Sequence, residues 1–150
     1  MEKTRRIHFV TKILVDIMFY GGIAACVVLP FALPALMRFI GVSMTFRMPY
    51  TLILLSSGMC SVYIVYQLKR MFKTLLGGNP FVIENVSCLR KCAVTSALIS
   101  GIFLVRLFFW FTIASSIIVV IFALLSLFSI AIKDLFKQAV AYKEETDWTV

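Results

Sequence analysis

The sequence predicts an all-α fold: a four-helix transmembrane bundle with amphipathic cytoplasmic helix extensions. Three observations carry that expectation. The 150 residues are 61% hydrophobic and 15% charged, with a mean hydropathy of +0.99, whereas soluble domains are nearer half apolar and about a quarter charged. The apolar residues gather into four runs separated by basic or turn-forming stretches. Helical spacing of apolar residues then continues past the ends of the runs, with charged residues on the opposite face. A soluble domain this small could not hide so much apolar side chain, so lipid is its natural solvent.

The chain opens on a basic segment, with Lys3, Arg5, Arg6 and Lys12 against Glu2. An apolar run from about 13 to 37 follows, longer than the roughly 20 residues that a bilayer core needs. Pro30 and Pro34 lie in its second half, where each removes a helix hydrogen bond and favours a kink. Ile23-Ala24-Ala25-Cys26 looks like a lipoprotein cleavage box after a basic start. However, Asp16 interrupts the would-be signal core, and the chain stays apolar beyond Cys26. A retained span is therefore expected.

A loop with Arg38, Gly41 and Arg47 leads to the second span, about 50–68, whose Ser57, Gly58 and Ser61 offer a small face for close helix contact. The stretch 77–80, Gly-Gly-Asn-Pro, breaks the chain. Gly77 suits a helix end, Asn79 an N-cap and Pro80 a first helical residue. The third span, about 93–111, carries Ala93, Ala97 and Gly101 at four-residue spacing, read as a second small-residue seam. A short turn near 111–114 leads to the fourth span, about 115–132. No internal repeat stands out, and residues 1–150 read as a single membrane domain.

Topology follows from the placement of Lys and Arg. The N-terminal segment, the middle connection (Lys69, Arg70, Lys73, Arg90, Lys91) and the C-terminal segment (Lys133, Lys137, Lys143) are basic. The opposite side has only Arg38, Arg47 and Arg106. Both termini are therefore expected in the cytoplasm. The net charge of +8 is accounted for by this topology and by attraction to anionic headgroups, so direct nucleic-acid binding is not expected.

Three stripes run beyond the spans: Leu68, Met71, Phe72, Leu75 and Leu76; Val82, Val86 and Leu89; and Ile132, Leu135, Phe136, Ala139 and Val140. Burying a large aliphatic side chain is worth about 1.5–3 kcal/mol. The stripes should therefore pack on one another and extend the bundle, or lie in the headgroup region as interfacial helices. The extended bundle is the expected arrangement. It turns 77–80 into the tip of a helical hairpin, roughly 14 Å beyond the span at 1.5 Å per residue.

The residues with chemical potential have simpler structural uses. Asp16 is the one acid at the edge of a span, where an ionisable group suggests a proton or cation site. It reads first as wetted or paired with Lys12, Lys69, Arg70 or Arg90. Arg106, the one basic residue inside a span, is placed to reach the outer headgroups. Cys88 and Cys92 share a helix face, but a structural zinc site needs about four ligands and the only histidine, His8, is distant in sequence. No nucleophile triad, paired carboxylates, phosphate loop or metalloprotease pattern is present. No catalytic residue, cofactor or metal is expected.

Gly78-Asn79-Pro80-Phe81 with Asn85 and Leu89-Arg90, and the ending AVAYKEETDWTV with Glu144-Glu145, Asp147 and Thr149-Val150, give the chain a resemblance to the YoaS-like family. These are small bacterial membrane proteins classed as a domain of unknown function. Trp148 departs from the pattern, where an aliphatic residue is expected. The resemblance implies four spans in a bacterial cytoplasmic membrane. Members are often encoded beside a small helix-turn-helix regulator, which implies a DNA-binding partner by association; another membrane protein is a second candidate.

Together these readings point to a non-enzymatic membrane interaction protein. The expected partner surface comprises Lys69, Arg70, Lys73, Asn79, Pro80, Phe81, Glu84, Asn85, Arg90, Lys91, Glu144, Glu145, Asp147 and Trp148. The alternative is a small-molecule or ion transport component using Asp16 and the Pro30/Pro34 segment.

Overall fold

The computed structural model describes residues 2–41, 47–77 and 81–148. They form four helices: α1 (Glu2–Ile40), α2 (Arg47–Leu76), α3 (Ile83–Phe109) and α4 (Ile113–Trp148). Among the described residues there is no strand, and every helix is long and apolar enough to cross a membrane. The shortest helix has 27 residues and the longest 39, about 40 and 58 Å at 1.5 Å per residue. A hydrocarbon core is only about 30 Å thick, so each helix carries turns beyond its span. The residues of the amphipathic stripes from 68 to 76, 86 to 89 and 132 to 140 lie within α2, α3 and α4. They continue their spans without a break, and α1 likewise runs unbroken through Pro30 and Pro34.

The start of α3 differs from expectation. Asn79 and Pro80, expected as cap and first residue, lie outside the described residues. The N-cap is Val82, in extended conformation and without a side-chain cap bond. Phe81, just before it, holds its ring 5.5 Å from that of Phe136 on α4. An apolar residue at this position commonly fixes a helix's entry angle; here its partner is on another helix. The Asn85 amide N–H donates to the Val82 carbonyl at 3.0 Å and closes the first turn. At its other end α3 stops at Phe109, where the Trp110 N–H donates to the Arg106 carbonyl at 2.9 Å.

The helices pack antiparallel, in chain order. Asp16 pairs with Lys69, while Cys26 lies against Gly58. Thr74 meets Asn85 and Ile64 meets Cys92. Ala93 meets Ser126 and Arg106 meets Ser115. In each helix pair, residue numbers rise on one helix as they fall on the other. The first half of α1, the α2–α3 connection and the end of α4 therefore share one end of the bundle.

Among the described residues, Cα atoms approach within 8 Å only between α1 and α2, α2 and α3, and α3 and α4. Packed helix axes lie about 8–10 Å apart, so this is an open row with α1 and α4 at its edges. The core consists of Ile64, Cys92, Ile99 and Phe103 with Ile53, Cys60, Leu68, Ile118, Val119 and Phe122 around it. It belongs to α2, α3 and α4. Helix α1 keeps a wide apolar face exposed, including Phe9, Ile17, Val27 and Phe31.

Lipid tails are as apolar as leucine, so helix association within them relies on close packing and polar contacts. On α2 the small face works as expected at Gly58: a Cβ there would lie 2.9 Å from Cys26 Sγ. On α3 the expected seam is wrong. Ala93 is buried, but Ala97 and Gly101 are exposed. A strict four-residue repeat precesses about 40° per step on a helix of 3.6 residues per turn, so it leaves the contact face within two steps. Cys92, Ser96, Ile99 and Phe103 alternate steps of four and three, stay on one face and are buried. The C-terminal stripe is also displaced. Ile132 and Leu135 are exposed, while Phe136 and Val140 turn inward, continuing the face that carries Ser126 and Ser129.

Candidate functional site

The basic end of the bundle holds most of the residues expected to carry function. Its centre is the hydrogen bond from Thr74 Oγ1 on α2 to Asn85 Oδ1 on α3, 2.7 Å long. Asn85 is 1% exposed, so it braces the hairpin and is not on its surface. A buried amide needs such partners. The sequence carried a signal for this, because Asn85 falls on the same helix face as Val82, Val86 and Leu89, a polar residue inside an apolar stripe.

The basic residues divide between two places. Lys12, Asp16, Lys69, Arg70 and Lys73 line a cavity of about 610 Å³ between α1 and α2. Arg90 and Lys91 line a separate depression of about 340 Å³ with Tyr63, Ser87 and Thr95. Of the expected partner surface, Lys69, Arg70 and Lys73 thus line the hollow beside α1, and Arg90 and Lys91 the other. Glu84 and Glu145 are exposed, and Phe81 is partly covered by Phe136. Asn79 and Pro80, and the side chains of Glu144, Asp147 and Trp148, lie outside the described residues.

Asp16 is paired: its Oδ1 is 2.7 Å from Lys69 Nζ. The same ammonium lies 5.2 and 5.3 Å from the ring centroids of Phe19 and Tyr20, within range of a cation–π contact. At the opposite end of the bundle, Arg106 has more partners than headgroup-seeking alone would provide. Its Nη1 donates to Ser115 Oγ at 2.6 Å. Its guanidinium sits 4.8 Å from the Tyr50 ring centroid and 6.0 Å from that of Phe103. One side chain thereby ties α2, α3 and α4 together.

Sequence reasoning passed over the buried hydroxyls. Ser126 donates to the Ala93 carbonyl at 2.9 Å and Ser100 to the Val119 carbonyl at 3.1 Å, both across the α3–α4 interface. Gln67 and Ser96 are also almost fully buried. The bonds from Ser126 and Ser100 fasten α4 to α3. Cys88 and Cys92 are buried free thiols, with Cys92 Sγ 4.0 Å from the Ile64 carbonyl. Among the described residues, no group of three or more His, Cys, Asp or Glu is placed to hold a metal.

Residues 42–150 match the family described as protein of unknown function (DUF2975). The chain belongs to this family. The DUF2975 match takes in α2, α3 and α4, the three helices that share the core, and stops short of α1. Comparison with curated proteins and with solved structures gave no match. With four helices suited to spanning a bilayer, this DUF2975 member is a multi-pass integral membrane protein.

Proposed function

We propose that this protein is a non-enzymatic component of the bacterial cytoplasmic membrane. Both termini are cytoplasmic, and the hairpin formed by the ends of α2 and α3 is a docking surface for a soluble partner. The observation behind this reading is the brace between Thr74 and Asn85 in helices that outrun their spans. It holds the hairpin in one shape, so a partner meets Glu84, Ser87, Arg90 and Lys91 on an ordered face. The basic character of this end favours a cytoplasmic position. The resemblance to YoaS-like proteins makes a small helix-turn-helix regulator the partner of choice, recognised through its protein surface and not through DNA.

The test is recovery of the full chain from native membranes in mild detergent. A soluble regulator should co-purify, and should be lost both on deletion of residues 144–150 and on the double substitution Arg90→Glu, Lys91→Glu. Undiminished recovery with both variants would overturn the reading. The transport alternative finds less support, because Asp16 is already neutralised by Lys69. Vesicle flux that depends on Asp16 would reinstate it.

A further inference from the structure

We propose that the cavity between α1 and α2 binds a phosphate-bearing anion, carried by an acidic phospholipid headgroup or free in solution. The cavity, about 610 Å³, falls within the roughly 300–1,000 Å³ of small-molecule sites. Four cations, Lys12, Lys69, Arg70 and Lys73, line it with a single carboxylate, Asp16. Asp16 is 2.7 Å from Lys69, which leaves Lys12, Arg70 and Lys73 without a carboxylate among the described residues. Three like charges gathered around one hollow repel each other, and an anion relieves that repulsion. Arg70 supplies the planar fork that matches phosphate oxygens in pairs, and the lysines add point charges.

The open row of helices creates the space. Among the described residues helix α1 packs on α2 alone, so no third helix among them fills the hollow beside Lys69. The cavity also sits where the apolar runs of α1 and α2 give way to charge, the level at which anionic headgroups lie. A cation there contributes about 1 kcal/mol of attraction to an anionic leaflet; gathering several into one concave site turns a diffuse attraction into a localised one. The site is separate from Glu84, Ser87, Arg90 and Lys91, which lie on α3.

The test uses the full chain in nanodiscs of neutral phosphatidylcholine, in three arms: no addition, inorganic phosphate, and a minor fraction of phosphatidylglycerol. The readouts are lipid retained in native mass spectrometry and the thermal unfolding midpoint. At least one phosphate source should raise the midpoint. The double substitution Arg70→Gln, Lys73→Gln should weaken that binding about 30-fold, as expected for two such cations. The equal charge loss Arg90→Gln, Lys91→Gln should leave it unchanged. Stabilisation by inorganic phosphate assigns the site to the free anion, and stabilisation by phosphatidylglycerol alone assigns it to the headgroup. Equal losses in the two double variants, or no stabilisation from either source, would overturn the proposal. Helix content in neutral nanodiscs checks folding, and Lys12→Gln on α1 repeats the test should the first pair fail to fold.

Discussion

Thr74 and Asn85 stand eleven positions apart in the sequence, and their side chains meet at 2.7 Å to join the end of α2 to the start of α3. Asn85 is 1% exposed; removing its amide would leave the interface with a gap and Thr74 without its cross-helix partner. Asn85→Ala should destabilise the hairpin by about 1–3 kcal/mol. Limited proteolysis between α2 and α3 should read this as faster cleavage. Thr74→Val combined with Asn85→Leu should cost less than the two single changes added together, because the pair acts as a unit.

Gly58 permits α1 to approach α2. A Cβ at this position would lie 2.9 Å from Cys26 Sγ, closer than packed side chains allow. Gly58→Ala should cost about 1–3 kcal/mol as an overpacking change, measured by unfolding in detergent. Cys26→Ala in the same chain removes the clashing sulfur and should restore most of the loss. Gly101→Ala should be tolerated, since a Cβ there would meet nothing within 4 Å.

Arg106 connects Ser115 and Tyr50 through different parts of one guanidinium. Arg106→Lys keeps the charge but replaces the guanidinium over Tyr50, and its bond to Ser115, with a compact ammonium. Its stability should fall by about 0.5–2 kcal/mol, the range for a cation–π contact. Ser115→Ala should cost less, close to the roughly 0.6 kcal/mol typical of a hydrogen bond between membrane helices. A Lys variant as stable as the wild type would show that charge alone matters at this position.

The Asp16–Lys69 pair is partly open to its surroundings, with side chains 32% and 39% exposed. Screening therefore limits its contribution, and Asp16→Asn should cost less than about 1 kcal/mol. Expression and partner recovery should be preserved. Loss of a measured ion flux in this variant, with folding intact, would favour the transport alternative.

The four helices were legible because hydropathy alone separates lipid-facing runs from the turns between them. The unbroken length of the helices was legible because the apolar spacing continues past the apolar runs with charge on the opposite face. Inside the span that contrast disappears: an apolar residue facing lipid and one facing a helix look alike. That is why Ala97 and Gly101 were misassigned, whereas Ser96 and Ile99 hold the contact face. The informative residues there are polar. Ser100, Ser126 and Arg106 mark where helices touch, because a polar group in lipid needs a partner. Asn85 was misplaced for a related reason. Sequence alone does not separate a polar residue that braces two helices from one that faces a partner, and Asn85 is the former. The cavity between α1 and α2 depends on which helices are neighbours, and no residue pattern encodes that directly.

The proposed docking surface requires the α2–α3 hairpin to stand clear of the bilayer and meet a soluble protein. Photocrosslinking in native membranes reads this out, with a benzophenone side chain in place of Glu84 and, as a control, in place of Ile13 on the exposed apolar face of α1. The probe at 84 should give a discrete adduct with a soluble protein, lost when Arg90 and Lys91 are reversed in charge, while the probe at 13 gives lipid adducts. Lipid adducts alone from position 84 would contradict the claim, since they would place the hairpin against the membrane and leave no face for a partner.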